Sequence, residues 1–267
     1  MKVNSITSEA NALLKRMRSL HQRAAREKSG LFLIEGPKAL DEAQQKGVDI
    51  RDVVVSESFW KNGPGALGNV DVAEVAVVED RLFKTLVTTT SPCGVAAIAA
   101  LPRRDAVSMF KPANPLIVVG AALQDPGNLG TLIRTALAAS ASGIILTKGT
   151  VDPYGPKVVR SAAGALFAMP ILWDVTMSDA ISLLKEHDVR ILACDMHGEK
   201  QYFEADLTGR CAIVVANEGQ GFEEETLESC DEIISIPMNE ASESLNVAIA
   251  AGVVLFAAVE QRLKKPK

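Results

Sequence analysis

Three short polar segments interrupt the apolar C-terminal half of the chain, and each follows an apolar run that predicts a strand. The first is QDPGNLGTLIRTA (124–136), which carries Asn128 and Arg134. Arg134 stands in an otherwise apolar helical pattern, where its guanidinium has to stay hydrated or meet an anion. A structural salt bridge and phosphate binding are both open for Arg134, and Asn128 is placed to cap the helix.

The second segment is IVVANEGQGF (213–222), in which an apolar strand runs directly into Asn217, Glu218 and Gly219. A carboxylate at the end of a strand can orient a polar ligand, and the glycines let the backbone approach that ligand closely. The full dinucleotide-binding pattern GxGxxG does not occur here or after the strand at 116–123. The segment therefore disfavours a nucleotide-binding oxidoreductase.

The third segment is ISIPMNEASESLNVAIAAG (234–252), where Ser244 and Asn246 open an Ala-rich helix predicted over 244–263. Ser244 is predicted to be the N-cap of that helix. Asn246 is then expected inside the first turn, where a buried amide needs a hydrogen-bond partner. A hydrolase built on Ser244 is disfavoured, because the chain has no GxSxG elbow and no histidine placed for a triad.

The elements that position these segments begin at residue 116, where apolar runs alternate regularly with helical patterns. This alternation predicts a parallel sheet covered on both faces by helices. Ligands of such sheets bind beyond the carboxyl ends of the strands, so the three polar segments are expected to meet at one edge. The predicted strands are 116–123, 143–147, 171–174, 190–195, 211–217 and 232–238.

The N-terminal part reads as a separate region. Residues 1–30 hold seven Lys or Arg against two Glu, and a single basic helix capped by Ser8 is predicted over 8–28. The basic face is either a solvated surface or an arm that contacts RNA phosphates. A small α/β unit follows over 31–100, and the proline-rich stretch 101–115 is expected to be a linker. The strands predicted in that unit are 31–36, 52–58, 70–78 and 94–100.

The composition sets the class of protein. The chain has 267 residues, of which 48% are hydrophobic and 23% charged, and this balance is typical of a folded globular protein. The net charge of −5 excludes a wholly basic nucleic-acid binder but leaves room for a basic patch. The four cysteines form no CxxC pair and the three histidines are scattered, so we expect neither a metal site nor a disulfide framework. The sequence shows no signal-peptide pattern and no apolar stretch long enough for a membrane span, which predicts a cytoplasmic protein.

Taken in order, NxGxxxR, NEGxG and IPM…SLNV resemble the motifs of the SpoU/TrmH branch of the SPOUT methyltransferases. The resemblance is strong over 116–260 and weaker over 31–100. It implies an α/β fold whose C-terminal parallel-sheet SPOUT domain (116–267) contains a deep trefoil knot, an exception to the rule that chains are unknotted. A small α/β substrate-binding domain (31–100) would precede it.

The resemblance also implies an activity. Members of the family transfer a methyl group from S-adenosyl-L-methionine to a ribose 2′-hydroxyl in RNA, without a metal, and are typically homodimers. The fused N-terminal domain favours 23S rRNA as the substrate. A tRNA 2′-O-methyltransferase and a non-catalytic RNA-binding module stay open as alternatives.

The resemblance carries over residue by residue. It assigns catalytic roles to Asn128, Arg134, Glu218, Ser244 and Asn246. It assigns cofactor contacts to Ala216, Asn217, Gly219, Gly221, Ile236, Met238 and Leu245. A guanidinium stays protonated in proteins, so we expect Arg134 to hold a phosphate and stabilise the forming alkoxide rather than act as a base.

Overall fold

The computed structural model describes residues 1–68, 70–102, 106–217, 219, 221–239 and 244–264. The helices and strands, in chain order, are β1 Lys2–Ile6, α1 Ala12–Ser19, α2 Arg23–Ser29, β2 Leu31–Glu35, α3 Pro37–Gln45, β3 Ile50–Ser56, α4 Glu57–Trp60, β4 Glu74–Val78, α5 Asp80–Lys84, β5 Val95–Ala100, β6 Leu116–Ala121, α6 Pro126–Ala138, β7 Gly143–Thr147, α7 Pro156–Ser161, β8 Ile171–Val175, α8 Met177–Glu186, β9 Arg190–Cys194, β10 Lys200–Gln201, β11 Cys211–Ala216, α9 Glu224–Glu228, β12 Glu232–Ser235 and α10 Val247–Lys264. The chain divides into two compact units.

The first unit comprises Met1–Arg103 and Asp152–Phe167. Its five-stranded sheet has the order β1-β4-β3-β5-β2, in which β1, β4 and β3 are parallel and β5 is antiparallel to both of its neighbours. The edge strand β1 is absent from our sequence prediction. Its residues are mostly exposed and polar, so they carry no apolar run that would reveal a strand.

The single helix predicted over 8–28 is wrong. Helix α1 ends at Ser19, and α2 starts only after Gln22, whose backbone is extended with φ −93° and ψ 132°. The N-cap of α1 is Asn11, which accepts a hydrogen bond from the Leu13 amide at 2.8 Å, rather than Ser8. The break lets α1 bury its apolar face in the core of the unit, where Leu14, Met17 and Leu20 are fully buried.

The segment Asp152–Phe167 packs within the first unit although it lies far along the chain from the rest of that unit. Asp152 Oδ2 accepts hydrogen bonds from Nε and Nη2 of Arg26 at 2.7 and 2.5 Å. Arg160 Nη1 donates to Thr88 Oγ1 at 2.6 Å and lies 3.3 Å from the Glu35 carboxylate. These contacts fix the segment against α2 and the end of β2.

The second unit comprises Arg104–Val151 and Ala168–Lys267. Its seven-stranded sheet has the order β10-β12-β9-β11-β6-β7-β8, and every strand pair in it is parallel. Six of these strands are those that the apolar runs predict, and the predicted α/β fold class is confirmed. The implied trefoil knot stays a prediction, since the chain between Asn239 and Ser244 lies outside the described residues.

Strands β6 and β11 are almost completely buried, and β9 is buried over its three central residues, because helices cover both faces of the sheet. The carboxyl ends of β6, β11 and β12 lie at one edge of the sheet, where the loops that follow them carry the three polar segments. Among the helices of the described residues, none combines the length and the hydropathy that a membrane span requires.

Candidate active site

The first polar segment enters α6 through Asp125. Asp125 has an extended backbone and its Oδ1 accepts a hydrogen bond from the Asn128 amide at 2.7 Å, so Asp125 is the N-cap. Pro126 then occupies the first helical position, where its missing N–H costs nothing. The predicted capping role of Asn128 is therefore wrong, because an acceptor three residues earlier takes that role.

The third polar segment enters α10 through Asn246. Asn246 Oδ1 accepts hydrogen bonds from the amides of Ala248 and Ile249 at 3.0 and 3.3 Å, so Asn246 is the N-cap of a helix that begins at Val247. The predicted cap at Ser244 and the first-turn position of Asn246 are both wrong. The helix starts three residues later than the Ala-rich composition indicates.

A hydrogen bond between two side-chain amides joins these segments across 118 residues of sequence. Asn246 Nδ2 donates to Asn128 Oδ1 at 2.8 Å. Because Asn246 Oδ1 is occupied by two backbone amides, its orientation is fixed and its Nδ2 has to face Asn128. Asn128 in turn presents its oxygen to Asn246, which leaves its Nδ2 directed away as a donor.

A pocket lies at the same edge of the sheet. It is lined by residues at the ends of β9, β11 and β12 and at the start of α10, namely Cys194, Asp195, Met196, Val215, Ala216, Asn217, Gly221, Phe222, Ile236, Met238, Ser244, Leu245, Val247 and Ala250. Six of the residues assigned to the cofactor from the sequence are in this set, and Gly219 is not. Of those assigned to catalysis, Ser244 lines the pocket, and Asn246 lies between two lining residues.

Sequence reasoning missed the part of this pocket that follows β9, which consists of Cys194, Asp195 and Met196. A signal was present, since the apolar run RILAC ends directly in Asp195, as the other polar segments follow their strands. Strand β9 pairs with both β11 and β12, so its end lies at the same edge. Burial, helped by the negative charge of Asp195, raises the pKa of the Cys194 thiol to about 11, so the thiol stays protonated at neutral pH.

Arg134 is exposed on α6 and, in the described part of the chain, forms no hydrogen bond or ion pair. The structural salt bridge left open by the sequence thus finds no partner among these residues. Six residues along a helix correspond to a rotation of about 240°, so Arg134 and Asn128 lie on different faces of α6. Glu218, the remaining residue assigned to catalysis, lies outside the described residues.

The loops that follow β11 and β12 contribute no basic side chain to the walls of the pocket. Between Arg210 and Arg262 the sequence contains no Lys, Arg or His, and this stretch supplies the walls formed by the loops after β11 and β12. The described residues contain no group of three or more His, Cys, Asp or Glu side chains that could hold a metal ion. The pocket is therefore suited to a neutral or cationic ligand with a large apolar part.

This fold and this pocket define an α/β protein with a pocket for a small ligand beyond the carboxyl ends of its strands. Comparison with known families gives the class a name. Residues 115–256 match the SpoU rRNA Methylase family, and residues 11–97 match the MRM3-like substrate binding domain. The chain belongs to the SpoU rRNA methylase family, as the three sequence motifs predicted.

Two curated relatives match the chain over nearly its whole length. It is 32% identical to an uncharacterized tRNA/rRNA methyltransferase of Synechocystis, covering 97% of this chain and 95% of the relative. It is 29% identical to the 23S rRNA (guanosine(2553)-2′-O)-methyltransferase RlmP of Bacillus subtilis, covering 95% and 98%.

Solved structures give the same family. The SpoU methyltransferase AviRb from Streptomyces viridochromogenes, in complex with the cofactor AdoMet, superimposes with a TM-score of 0.87 at 27% identity, covering 96% of this chain and 100% of that one. The crystal structure of an RNA 2′-O ribose methyltransferase superimposes with a TM-score of 0.83 at 32% identity, covering 97% and 99%.

Proposed function

We propose that the protein transfers a methyl group from S-adenosyl-L-methionine to a ribose 2′-hydroxyl of RNA, with 23S rRNA as its substrate. The observation that carries the proposal is the hydrogen bond between Asn128 and Asn246. It joins the first family motif to the third beside a pocket lined by residues of the second and third. RlmP, which matches nearly the full length of the chain, is named for this reaction on 23S rRNA.

The pocket fits the proposed cofactor. Val215, Phe222 and Ile236 offer apolar surface to an adenine nucleoside. Since no Lys or Arg occurs in residues 211–261, a sulfonium meets no like charge in the walls that these residues form. When bound, S-adenosyl-L-methionine supplies an electrophilic methyl group on its sulfonium.

Asn128, Asn246 and Ser244 are proposed to position the acceptor ribose and the cofactor. Displacement at a methyl carbon needs the attacking oxygen about 3 Å away and in line with the leaving sulfur, so small errors of position slow it strongly. Asn246 fixes the Asn128 amide with its Nδ2 available to donate to an oxygen of the RNA. Glu218 is proposed to orient Asn128 or Arg134.

Arg134 is proposed to hold the phosphate next to the target ribose and to stabilise the alkoxide as it forms. Because Arg134 is exposed and has no partner in the described part of the chain, its guanidinium can donate to an anion. The proton of the 2′-hydroxyl then passes to the phosphate or to water, because a guanidinium has no free acceptor.

A homodimer is proposed from the exposed face of α10. Ile249 and Phe256 are 51% and 49% exposed, and half-buried Val253 lies between them at helical spacing. A second copy of the chain would cover this apolar stripe. Sedimentation equilibrium is expected to give a dimer for the wild type and a monomer for Phe256→Glu.

The basic N-terminal segment is proposed to contact RNA phosphates through fewer residues than its composition implies. Four of its seven cations are in ion pairs, namely Lys2, Arg16, Arg23 and Arg26. Lys15 and Lys28 are exposed. These two side chains are the proposed RNA contacts of the segment.

Labelled S-adenosyl-L-methionine incubated with total RNA tests the proposed function. We expect label in 23S rRNA at one ribose whose 2′-O-methyl group blocks alkaline cleavage of the next phosphodiester bond. Label in tRNA instead would show that tRNA, rather than 23S rRNA, is the substrate. If no RNA is labelled and calorimetry detects no cofactor binding, the alternative of a non-catalytic RNA-binding module would be supported. An RNA substrate agrees with the cytoplasmic location predicted from the sequence.

A further inference from the structure

Asp195 is the one charged side chain among the described residues that line the pocket. The other lining side chains are apolar or neutral, including the Cys194 thiol, whose pKa is raised. A carboxylate at such a position is costly unless its oxygens accept hydrogen bonds. The family motifs assign no role to this residue.

A turn occupies one of the two carboxylate oxygens of Asp195. Its Oδ1 accepts a hydrogen bond from the His197 amide at 2.9 Å, and its carbonyl oxygen accepts one from the Gly198 amide at 3.2 Å. This is an Asx turn, for which either Asp or Asn serves. Gly198 packs so tightly on β12 that a Cβ atom there would lie 2.6 Å from the Ile234 carbonyl carbon. The turn therefore holds the aspartate in a fixed place.

The second carboxylate oxygen has no such partner. Asp195 Oδ2 accepts no hydrogen bond from the described residues. Because Oδ1 is already held by the turn, Oδ2 is the acceptor left for a ligand in the pocket.

The strand order indicates which part of the cofactor Asp195 meets. Strand β11 lies between β9 and β6, so the end of β9 is two strand spacings, about 10 Å, from the strand that leads to Asn128. In the proposed function Asn128 and Asn246 position the acceptor ribose, so the sulfonium would lie near them. Asp195 would then face a part of the cofactor that is distant from the sulfonium.

Two parts of the cofactor lie away from the sulfonium, namely the methionine amino-acid group and the adenosine. The charges of the pocket walls distinguish between them. The methionine carboxylate would find no Lys, Arg or His in residues 211–261, so the walls do not suit the amino-acid group. The adenosine group suits the apolar walls, and its ribose offers two adjacent O–H donors to one carboxylate. An acidic residue beyond a strand end accepts a ribose hydroxyl in the same way in dinucleotide-binding folds.

We propose that Asp195 accepts hydrogen bonds from the 2′,3′-diol of the adenosine in S-adenosyl-L-methionine and thereby sets affinity for the cofactor and its product. The inference rests on the proposed function, since it assumes that this pocket binds the cofactor. Asp195 is a positioning and specificity residue and takes no part in the transfer itself.

Calorimetry on the full chain with three ligands tests the proposal. S-adenosylhomocysteine carries the diol and the amino acid, 5′-methylthioadenosine lacks the amino acid, and the 2′,3′-dideoxy analogue of methylthioadenosine also lacks the diol. Asp195→Asn keeps the Asx turn through its amide oxygen but replaces Oδ2 with a donor. We expect it to raise Kd for the first two ligands by a similar factor, about tenfold or more, and to leave the Kd of the dideoxy analogue unchanged.

Asp206→Asn is the matched control. Asp206 Oδ1 accepts a hydrogen bond from the Thr208 amide at 2.9 Å in the same kind of turn, and Asp206 does not line the pocket. This variant makes the same change of charge and is expected to bind all three ligands as the wild type does. Equal thermal unfolding midpoints for the two variants show that weaker binding by Asp195→Asn does not come from a damaged fold.

Three results would overturn the inference. A loss for S-adenosylhomocysteine alone would place Asp195 at the ammonium group, an equal loss for the dideoxy analogue would place it at the adenine, and no loss would remove it from the site. If the folded wild type binds neither ligand that carries the diol, the proposed function fails. If the wild type binds both ligands and Asp195→Asn binds them equally well, only the inference about Asp195 fails.

Discussion

The two units of the molecule use their charged side chains in different ways. In the first unit three strongly buried charged side chains are in ion pairs: those of Arg26 and Asp152 are only 5% and 11% exposed, and that of Glu35 is 6% exposed beside Arg160. In the second unit Arg134 is exposed without a partner among the described residues, and Asp195 uses one oxygen of two. The pair of Arg26 and Asp152 fixes two distant segments of the chain, whereas Arg134 and Asp195 keep polar atoms available for the proposed ligands.

The boundaries of the compact units also differ from the boundaries of the stretches that match sequence families. Residues 152–167 lie inside the 115–256 stretch that matches the SpoU family, yet they pack within the first unit. The ion pair between Arg26 and Asp152 spans 126 residues of sequence. A boundary drawn from sequence similarity alone would cut through this contact.

Replacing Arg134 is expected to have the largest effect. Arg134→Ala removes the proposed anion contact, so methyl transfer should fall by about 10³-fold while the Kd of S-adenosylhomocysteine stays near that of the wild type. Single-turnover rates with labelled cofactor measure the decrease. Arg134→Lys, which keeps the charge without the planar fork, should recover only part of the rate. Near-normal turnover by Arg134→Ala would remove Arg134 from the mechanism.

Breaking the buried ion pair of the first unit is expected to have the second-largest effect, which is a loss of folding stability rather than of activity. Asp152→Ala leaves Arg26 buried without its carboxylate and is expected to lower the free energy of unfolding by about 3–5 kcal/mol, measured by urea denaturation. Glu27→Ala breaks the exposed pair with Arg23 and should cost less than about 1 kcal/mol. Equal losses in the two variants would contradict the division between paired buried charges and surface charges.

The Asn128–Asn246 contact allows stability and activity to be separated. Asn246→Ala removes the N-cap and should cost about 1 kcal/mol of stability, whereas Asn246→Asp keeps a cap acceptor and should not. Both variants lack the donor that fixes the Asn128 amide, so methyl transfer should fall by about tenfold or more in each. Wild-type turnover by Asn246→Asp would show that the amide pair does not orient the reacting groups.

The N-terminal cations should give the smallest effect. Lys15→Gln combined with Lys28→Gln is expected to weaken RNA binding slightly and to reduce the slope of log K against log salt by about 0.7 for each phosphate that the protein no longer neutralises. Point changes are needed because deleting the segment would also remove Leu14, Met17 and Leu20 from the core. Lys46→Gln, an exposed position outside the segment, serves as the control. An unchanged slope would count against the proposed contact.

The sequence predicted the parts of the fold that depend on burial. The apolar runs of β6, β9 and β11 are almost fully buried in the structure, so their composition marks them as central strands. The edge strand β1 is mostly polar and exposed and gives no such signal. The helix caps were assigned wrongly, since Asp125 and Asn246 become caps through local backbone geometry that composition does not contain.

The site was predictable where it coincides with family motifs. The segments that contain Asn217, Ile236 and Leu245 line one pocket, as the convergence of parallel strand ends indicates. Asp195 directly follows the apolar run RILAC, but its place in the pocket depends on β9 pairing with β11 and β12, a strand order that the chain order does not reveal.

A crystal structure of the protein with S-adenosylhomocysteine tests whether the three polar segments bind the cofactor together. We expect the ligand between the loops that follow β9, β11 and β12, with its sulfur turned toward Asn128 and Asn246 and its ribose toward Asp195. A ligand bound elsewhere, or a structure in which Asn128 and Asn246 are separated, would contradict this expectation.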